Sequence, residues 1–141
     1  MEQEILEFLK RHAEATRTKN VEVACSAQAS ERVEFLMRPP LCFGVNDGLD
    51  ESHLASWFAM FDGPIGFEHR DVVVTAEGEI AFVSCLAHWT GKFVNGGEMD
   101  VWYRQTYGLR QIDGDWKIVH LHESVPFYMD GSFRAAVDLK P

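Results

Sequence analysis

An α+β fold, with helices packed on one face of a coiled antiparallel sheet, is predicted by a change of hydrophobic period and a set of turns. Up to Phe61 the apolar residues recur at helical spacing; beyond Pro64 they alternate. The alternating half is cut by turn signals at Ala76-Glu77-Gly78, Asn95-Gly96-Gly97 and Asp113-Gly114. Helices followed by a run of strands is the order of an α+β domain.

Each element follows from local pattern. From Gln3 to Thr18, Ile5, Leu6, Phe8, Leu9, His12, Ala13 and Thr16 make one helical stripe. A short helix is expected from Val21 to Ala29, then a strand at Val33–Met37 stopped by Pro39-Pro40. A third helix is expected through Leu54, Trp57 and Phe61, with Asp50 as N-cap, Leu49 stapled against Leu54, and Asp62-Gly63-Pro64 as its end. Four long strands near Gly66–Thr75, Ile80–Lys92, Met99–Arg110 and Trp116–Val125 then form a meander. Strands of this length coil, leaving a concavity at the open end of the sheet. That hollow is the expected place of function.

Composition excludes several classes. A chain of 141 residues, 46% apolar and 25% charged, is one globular domain's worth, so residues 1–141 are read as a single domain. Thirteen basic against 22 acidic residues give a formal charge of −9, which repels phosphate backbones and anionic membranes. No nucleic-acid or membrane partner is expected. No secretory signal or spanning segment is visible, so a cytoplasmic location is expected. Cys25, Cys42 and Cys85 are odd in number and lack a C-x-x-C pair, which fits free thiols better than disulfides or structural zinc.

The turn at Asp113-Gly114 decides which side chains of the last two strands meet. A three-residue loop with a bulge sets Thr106 against His120, Arg104 against His122 and Trp102 against Ser124. A two-residue loop instead sets Tyr107 beside His120 and Gln105 beside His122. The bulged register is the expectation. It gives one strand face carrying Trp102, Arg104, Thr106, His120, His122 and Ser124, with Trp116 and Ile118 on the same face sealing one end. Such a face either meets water or lines a pocket.

If it lines a pocket, Arg104 offers a planar donor fork for a carboxylate. His122 titrates near neutrality and suits a general base, with Arg104 or Thr106 holding a developing oxyanion. Trp57 and Phe61, one helical turn apart, with Trp102 would surround an apolar body. The catalytic candidates are therefore His122 and Arg104, and the ligand-binding candidates Trp57, Phe61, Trp102, Thr106, His120 and Ser124. Arg104 could equally pair with Glu123, Asp100 or Glu98, and His120 could be a satisfied core histidine. As metal ligands, His120 and His122 would need a third from His88, Glu68 or His69, and no spacing selects one. No metal or cofactor is expected.

These pieces resemble a family. Gly63-Pro64-Ile65 at the entry to a long meander, Arg104-x-Thr106, Asp113-Gly114-Asp115-Trp116-Lys117-Ile118-Val119-His120 and His122-x-Ser124-x-Pro126 resemble the SnoaL-like, ketosteroid-isomerase-like branch of the NTF2-like superfamily. The closing segment is also similar to the end of the association domain of calcium/calmodulin-dependent kinase II. The resemblance implies a cone-shaped, cystatin-like α+β barrel, a cavity between sheet and helices, and a homodimer through the outer sheet face. Activity does not follow from fold. The base, Tyr and protonated Asp of the isomerases have no matching positions here. The expected function is binding of a small, partly apolar, carboxylated molecule, with acid–base chemistry of an isomerase, cyclase or lyase. The alternative is a ligand-binding or oligomerisation module without turnover, whose outer face would be Tyr103, Tyr107, Val119 and Leu121.

Overall fold

The computed structural model describes residues 1–44 and 51–141. Three helices, α1 (Glu2–Arg17), α2 (Val21–Ser26) and α3 (Glu51–Ala59), pack on a five-stranded sheet of β1 (Gln28–Phe35), β2 (Phe61–Glu77), β3 (Ile80–Phe93), β4 (Glu98–Ile112) and β5 (Asp115–Ser124). The sheet order is β1-β5-β4-β3-β2. The predicted meander is β2 to β5, antiparallel throughout, and β1 adds a parallel edge beside β5.

Helix α1 buries the stripe its spacing predicts, Ile5, Phe8, Leu9, Ala13 and Thr16, with Glu2 and Glu4 at the positive end of its dipole and Arg17 at the negative end. Its C-terminus is tied to β2 by Arg17 Nη1 donating to the Phe67 carbonyl and Lys19 Nζ to that of Phe61, each at 2.7 Å. Asn20 caps α2 by accepting from the Val23 amide at 3.1 Å. The expected N-cap Asp50 and staple Leu49 lie outside the described residues.

Helix α3 stops at Ala59, and Phe61 already belongs to β2. Asp62-Gly63-Pro64 therefore does not break a helix but bends an edge strand. Gly63 has φ +79°, the register shifts between Asp62 and Gly66, and the missing N–H of Pro64 is tolerated because β2 is at the sheet edge. Further shifts between Arg70 and Val73 in β2 and between Gly108 and Leu109 in β4 curve the sheet around the helices.

The last hairpin corrects the expected register. Ile112 pairs with Asp115 around a two-residue turn in which Asp113 and Gly114 take φ of +52° and +86°, the type I′ geometry. The extra residue lies further along: Leu109 faces Ile118, but Gly108 faces His120, so Val119 is unpaired. Thr106 then pairs with His122 and Arg104 with Ser124. A one-residue slip exchanges the faces of everything beyond it. Trp116 and Ile118 point into the core before the slip, and Leu121 and Glu123 point inward after it. The expectation that Trp116 and Ile118 share a face with His120 and His122 fails for this reason.

The core has two parts joined along α1. Ile5, Phe8 and Leu9 meet Val83, Tyr107, Leu109 and Ile118, while Ala13 and Ala15 meet Phe58, Phe61, Phe67 and Trp89. Full burial of each large apolar side chain contributes about 1.5–3 kcal/mol. Tyr103, Tyr107 and Leu121 are all buried here, so they do not form the outer apolar patch expected of them.

Candidate functional site

Between the open end of the sheet and the helices lies a cavity of about 320 Å³. The odd-numbered face of β4 (Tyr103, Gln105) and inward Leu121 and Glu123 of β5 form its floor. His12 and Thr16 of α1, Trp57 of α3, Glu34 of β1 and the ring of Trp89 from β3 complete the walls. The volume is at the lower end of the range of small-molecule sites.

Most of the predicted site residues lie elsewhere. Trp57 lines the cavity, as expected. Phe61 is buried behind it, its ring 5.1 Å from that of Trp57 and 5.7 Å from that of Trp89. Trp102, Arg104, Thr106, His122 and Ser124 sit on the other face of the sheet, and Arg104 and His122 are exposed. The structure does bring these residues together, but on the convex side. His120 Nδ1 lies 2.7 Å from the Val33 carbonyl, and the Phe35 ring stands edge-on between His120 and His122 at 5.1 and 5.6 Å. His120 is therefore satisfied by the neighbouring strand. His88, offered above as a third metal ligand, stacks on Trp102 at 4.3 Å and spends both ring nitrogens on carboxylates, Glu68 at 3.1 Å and Asp100 at 2.7 Å. Those carboxylates raise its pKa against the opposing effect of burial. No metal-binding cluster occurs among the described residues.

The chemistry inside the cavity centres on Glu123. Its carboxyl has a pKa pushed up to about 7, first by burial and then by the nearby Glu34, against the lowering effects of Gln105, the Met37 backbone and Arg38. Glu34 is itself buried and ion-paired with Arg32, so a second carboxylate is held beside the first. The Tyr103 hydroxyl is hydrogen-bonded to the same carboxyl, and burial holds its pKa well above the usual phenol value, so it remains a proton donor. Gln105 Nε2 donates to Glu123 Oε2 at 3.0 Å.

Behind these groups stand two neutral histidines. Burial lowers the pKa of His12 to about 4, with the neighbouring His69 adding to the effect. His69 also falls to about 4, mainly by burial and against a hydrogen bond with Gln105. His69 Nε2 lies 2.9 Å from the Tyr107 hydroxyl, and His12 Nδ1 is buried without a partner. A carboxyl poised to gain or lose a proton near neutrality, a phenolic donor and an apolar aromatic wall are the parts of a proton-transfer site.

Sequence reasoning missed Glu123, Gln105, Tyr103, Tyr107, Glu34 and His69 as a group. One signal was available. On β4 the odd series Val101, Tyr103, Gln105, Tyr107, Leu109 is more apolar than the even series Trp102, Arg104, Thr106, Gly108, Arg110, and the more apolar series faces the interior.

A curved sheet wrapped on helices, with a cavity at its open end, defines an NTF2-like cone. The chain belongs to the SnoaL-like domain family, whose model matches residues 42–128. An NTF2-like protein of unknown function from Pseudomonas putida is 28% identical and aligns with a TM-score of 0.83 over 99% of this chain and 95% of its own. The association domain of C. elegans CaMKII (15% identity, TM-score 0.69, 88% of this chain and 95% of that one) shares the fold. So does a proposed ketosteroid isomerase from Shewanella frigidimarina (22% identity, TM-score 0.67, 84% of this chain and 92% of that one). No curated protein matches the chain. Among the described residues, no helix is long and apolar enough to cross a membrane.

Proposed function

We propose that the cavity binds a small, uncharged, partly apolar molecule and that Glu123 moves a proton on it, the chemistry of an isomerase, cyclase or lyase. The observation that carries this reading is the Glu123 carboxyl, half-buried in an aromatic cavity with its pKa pushed up to about 7. A base is most effective when its pKa lies near the working pH. Tyr103, bonded to the same carboxyl at rest, can turn its one hydroxyl proton from Glu123 to an oxygen that gains charge as the proton leaves carbon. The cavity lining already balances its own charges: Glu34 is paired with Arg32, and Glu123 is faced by Arg38, whose guanidinium is set over the Phe43 ring at 4.7 Å. An uncharged ligand suits that setting better than the carboxylated one expected from Arg104.

The test is exchange of a carbon-bound proton. A panel of enolisable aromatic ketones deuterated beside the carbonyl is followed by NMR in the presence of the protein. The reading expects loss of deuterium that Glu123→Gln reduces by about 100-fold or more, the scale of a lost general base. Exchange that this variant leaves at the original rate would sink the assignment. Binding of panel members without exchange would favour the module without turnover.

The outer sheet face is the proposed surface for a second copy of the chain. Phe82 is 52% exposed there, on the same convex side as Trp102, Arg104 and His122.

A further inference from the structure

A buried carboxyl beside a second carboxylate would be expected to stay protonated unless a donor is held against it. The Gln105 amide is such a donor, beside the Met37 backbone and the Tyr103 hydroxyl, and an amide is two-faced: turned over, it presents its carbonyl and favours the neutral acid instead. What fixes its orientation lies further from the cavity. The Tyr107 hydroxyl donates to Gln105 Oε1 at 2.9 Å. Having spent its one proton, the Tyr107 oxygen can meet His69 Nε2, 2.9 Å away, only as an acceptor. His69 is therefore the tautomer with its proton on Nε2. Each link then runs one way, from His69 to Tyr107 to Gln105 to Glu123 Oε2, with His69 also bonded to Gln105 directly. Tyr107 is fully buried and Gln105 3% exposed.

We infer that Gln105, locked by Tyr107 and His69, is a positioning residue that holds a donor against Glu123, so that two residues which do not touch the cavity carboxyl help to set its charge state. The inference rests on the reading of Glu123 as the acid–base group of the cavity. The reverse polarity, in which a protonated Glu123 donates to a turned Gln105, requires the Tyr107 hydroxyl to turn and His69 to bare Nε2 as well, so in the intact chain protonating Glu123 means rearranging all three groups together. The chain thus couples the Glu123 charge to the His69 tautomer. Removing Tyr107 or His69 loosens the hold on the amide and so favours the acid. The other charged and titratable groups around Glu123 are Glu34 of β1, which favours the acid, and Arg38, which favours the carboxylate. Tyr103 of β4 bonds the carboxyl, and His12 of α1 and His53 of α3 line the same cavity.

The test needs no substrate. Protein labelled with ¹³C at the glutamate carboxyls is titrated by NMR, the Glu123 resonance being assigned by its loss in Glu123→Gln. The wild-type midpoint is expected near 7. Gln105→Leu should raise it by about one pH unit or more, the scale of a lost hydrogen bond to a carboxylate. Tyr107→Phe should raise it as well, by less, although residue 107 does not touch Glu123. If Tyr107→Phe does not fold, His69→Leu breaks the chain from its far end. An unchanged midpoint in Gln105→Leu overturns the inference. A midpoint that moves in Gln105→Leu but not in a folded Tyr107→Phe or His69→Leu overturns the chain and leaves Gln105 acting alone. Were Glu123→Gln to retain full exchange activity, the proton-transfer reading would fail while the titration result stood.

Discussion

Removing the charge of Glu123 should stabilise the protein in alkaline but not in acidic solution. The side chain holds a pKa of about 7 in the fold against 4.5 for an ordinary glutamate. At about 1.4 kcal/mol per pH unit, the folded state binds this proton more tightly by about 3 kcal/mol. A folded pKa raised above the unfolded one contributes stability that is fully present below 4.5 and is lost as pH rises through 7. Above that, burying the carboxylate costs the fold about 3 kcal/mol. Glu123→Gln keeps an acceptor for Gln105 Nε2 and cannot ionise, so it removes the cost. Urea unfolding of wild type and variant should show a stability difference that is flat below pH 4, grows in favour of the variant between pH 4.5 and 7, and levels off near 3 kcal/mol by pH 8. That difference corresponds to roughly 10 °C in Tm for a domain of this size. A difference that stays constant from pH 4 to pH 8, or that falls with pH, would refute the burial of an ionisable Glu123.

The neutral histidines act in the opposite direction. His12 and His69 have folded pKa values near 4, so the stability they carry is complete above 6.5 and drains as pH falls toward 4; His12→Phe should flatten the loss seen by urea unfolding between pH 6.5 and 4. A Cβ on Gly91 would meet the buried Phe61 ring at 2.6 Å, so Gly91→Ala should destabilise by about 1–3 kcal/mol in thermal or chemical unfolding. On the convex face, Phe82→Glu should convert a dimer to a monomer in sedimentation, and an unchanged sedimentation coefficient would remove that surface from the account. Alkylation followed by mass spectrometry should modify exposed Cys42 and spare Cys85 in the folded state, because burial raises the Cys85 thiol to about 12.

Much of the architecture is legible in the sequence because period is a local property. The stripe Ile5, Phe8, Leu9, Ala13 marks α1, and alternation with Asp113-Gly114 at a turn marks β4 and β5, whatever the rest of the chain does. The third helix is legible but not its end. Asp62-Gly63-Pro64 is a helix stop in isolation, and only the edge position of β2 makes it a strand bend. The expected site fails for a different reason. One unpaired residue, Val119, lies between Ile118 and His120, and whether β5 bulges there depends on β4 across the ladder, where a Cβ on Gly108 would stand 3.0 Å from the His120 Cβ. That is a tertiary fact, and it turns Glu123 inward and sends His122 to the convex side, where Arg104 already stands on the even-numbered face of β4. Glu123 also looks ordinary in sequence, since its perturbation comes from burial and from Glu34, which is far away along the chain.

The central claim is that the working surface is the concave one. Chemical-shift mapping of a bound aromatic ketone on the folded protein asks this directly. The account predicts that the largest changes fall on Tyr103, Gln105 and Glu123, with Arg104, His122 and Ser124 unmoved; the converse, changes clustered on the even-numbered residues with the cavity silent, would contradict it.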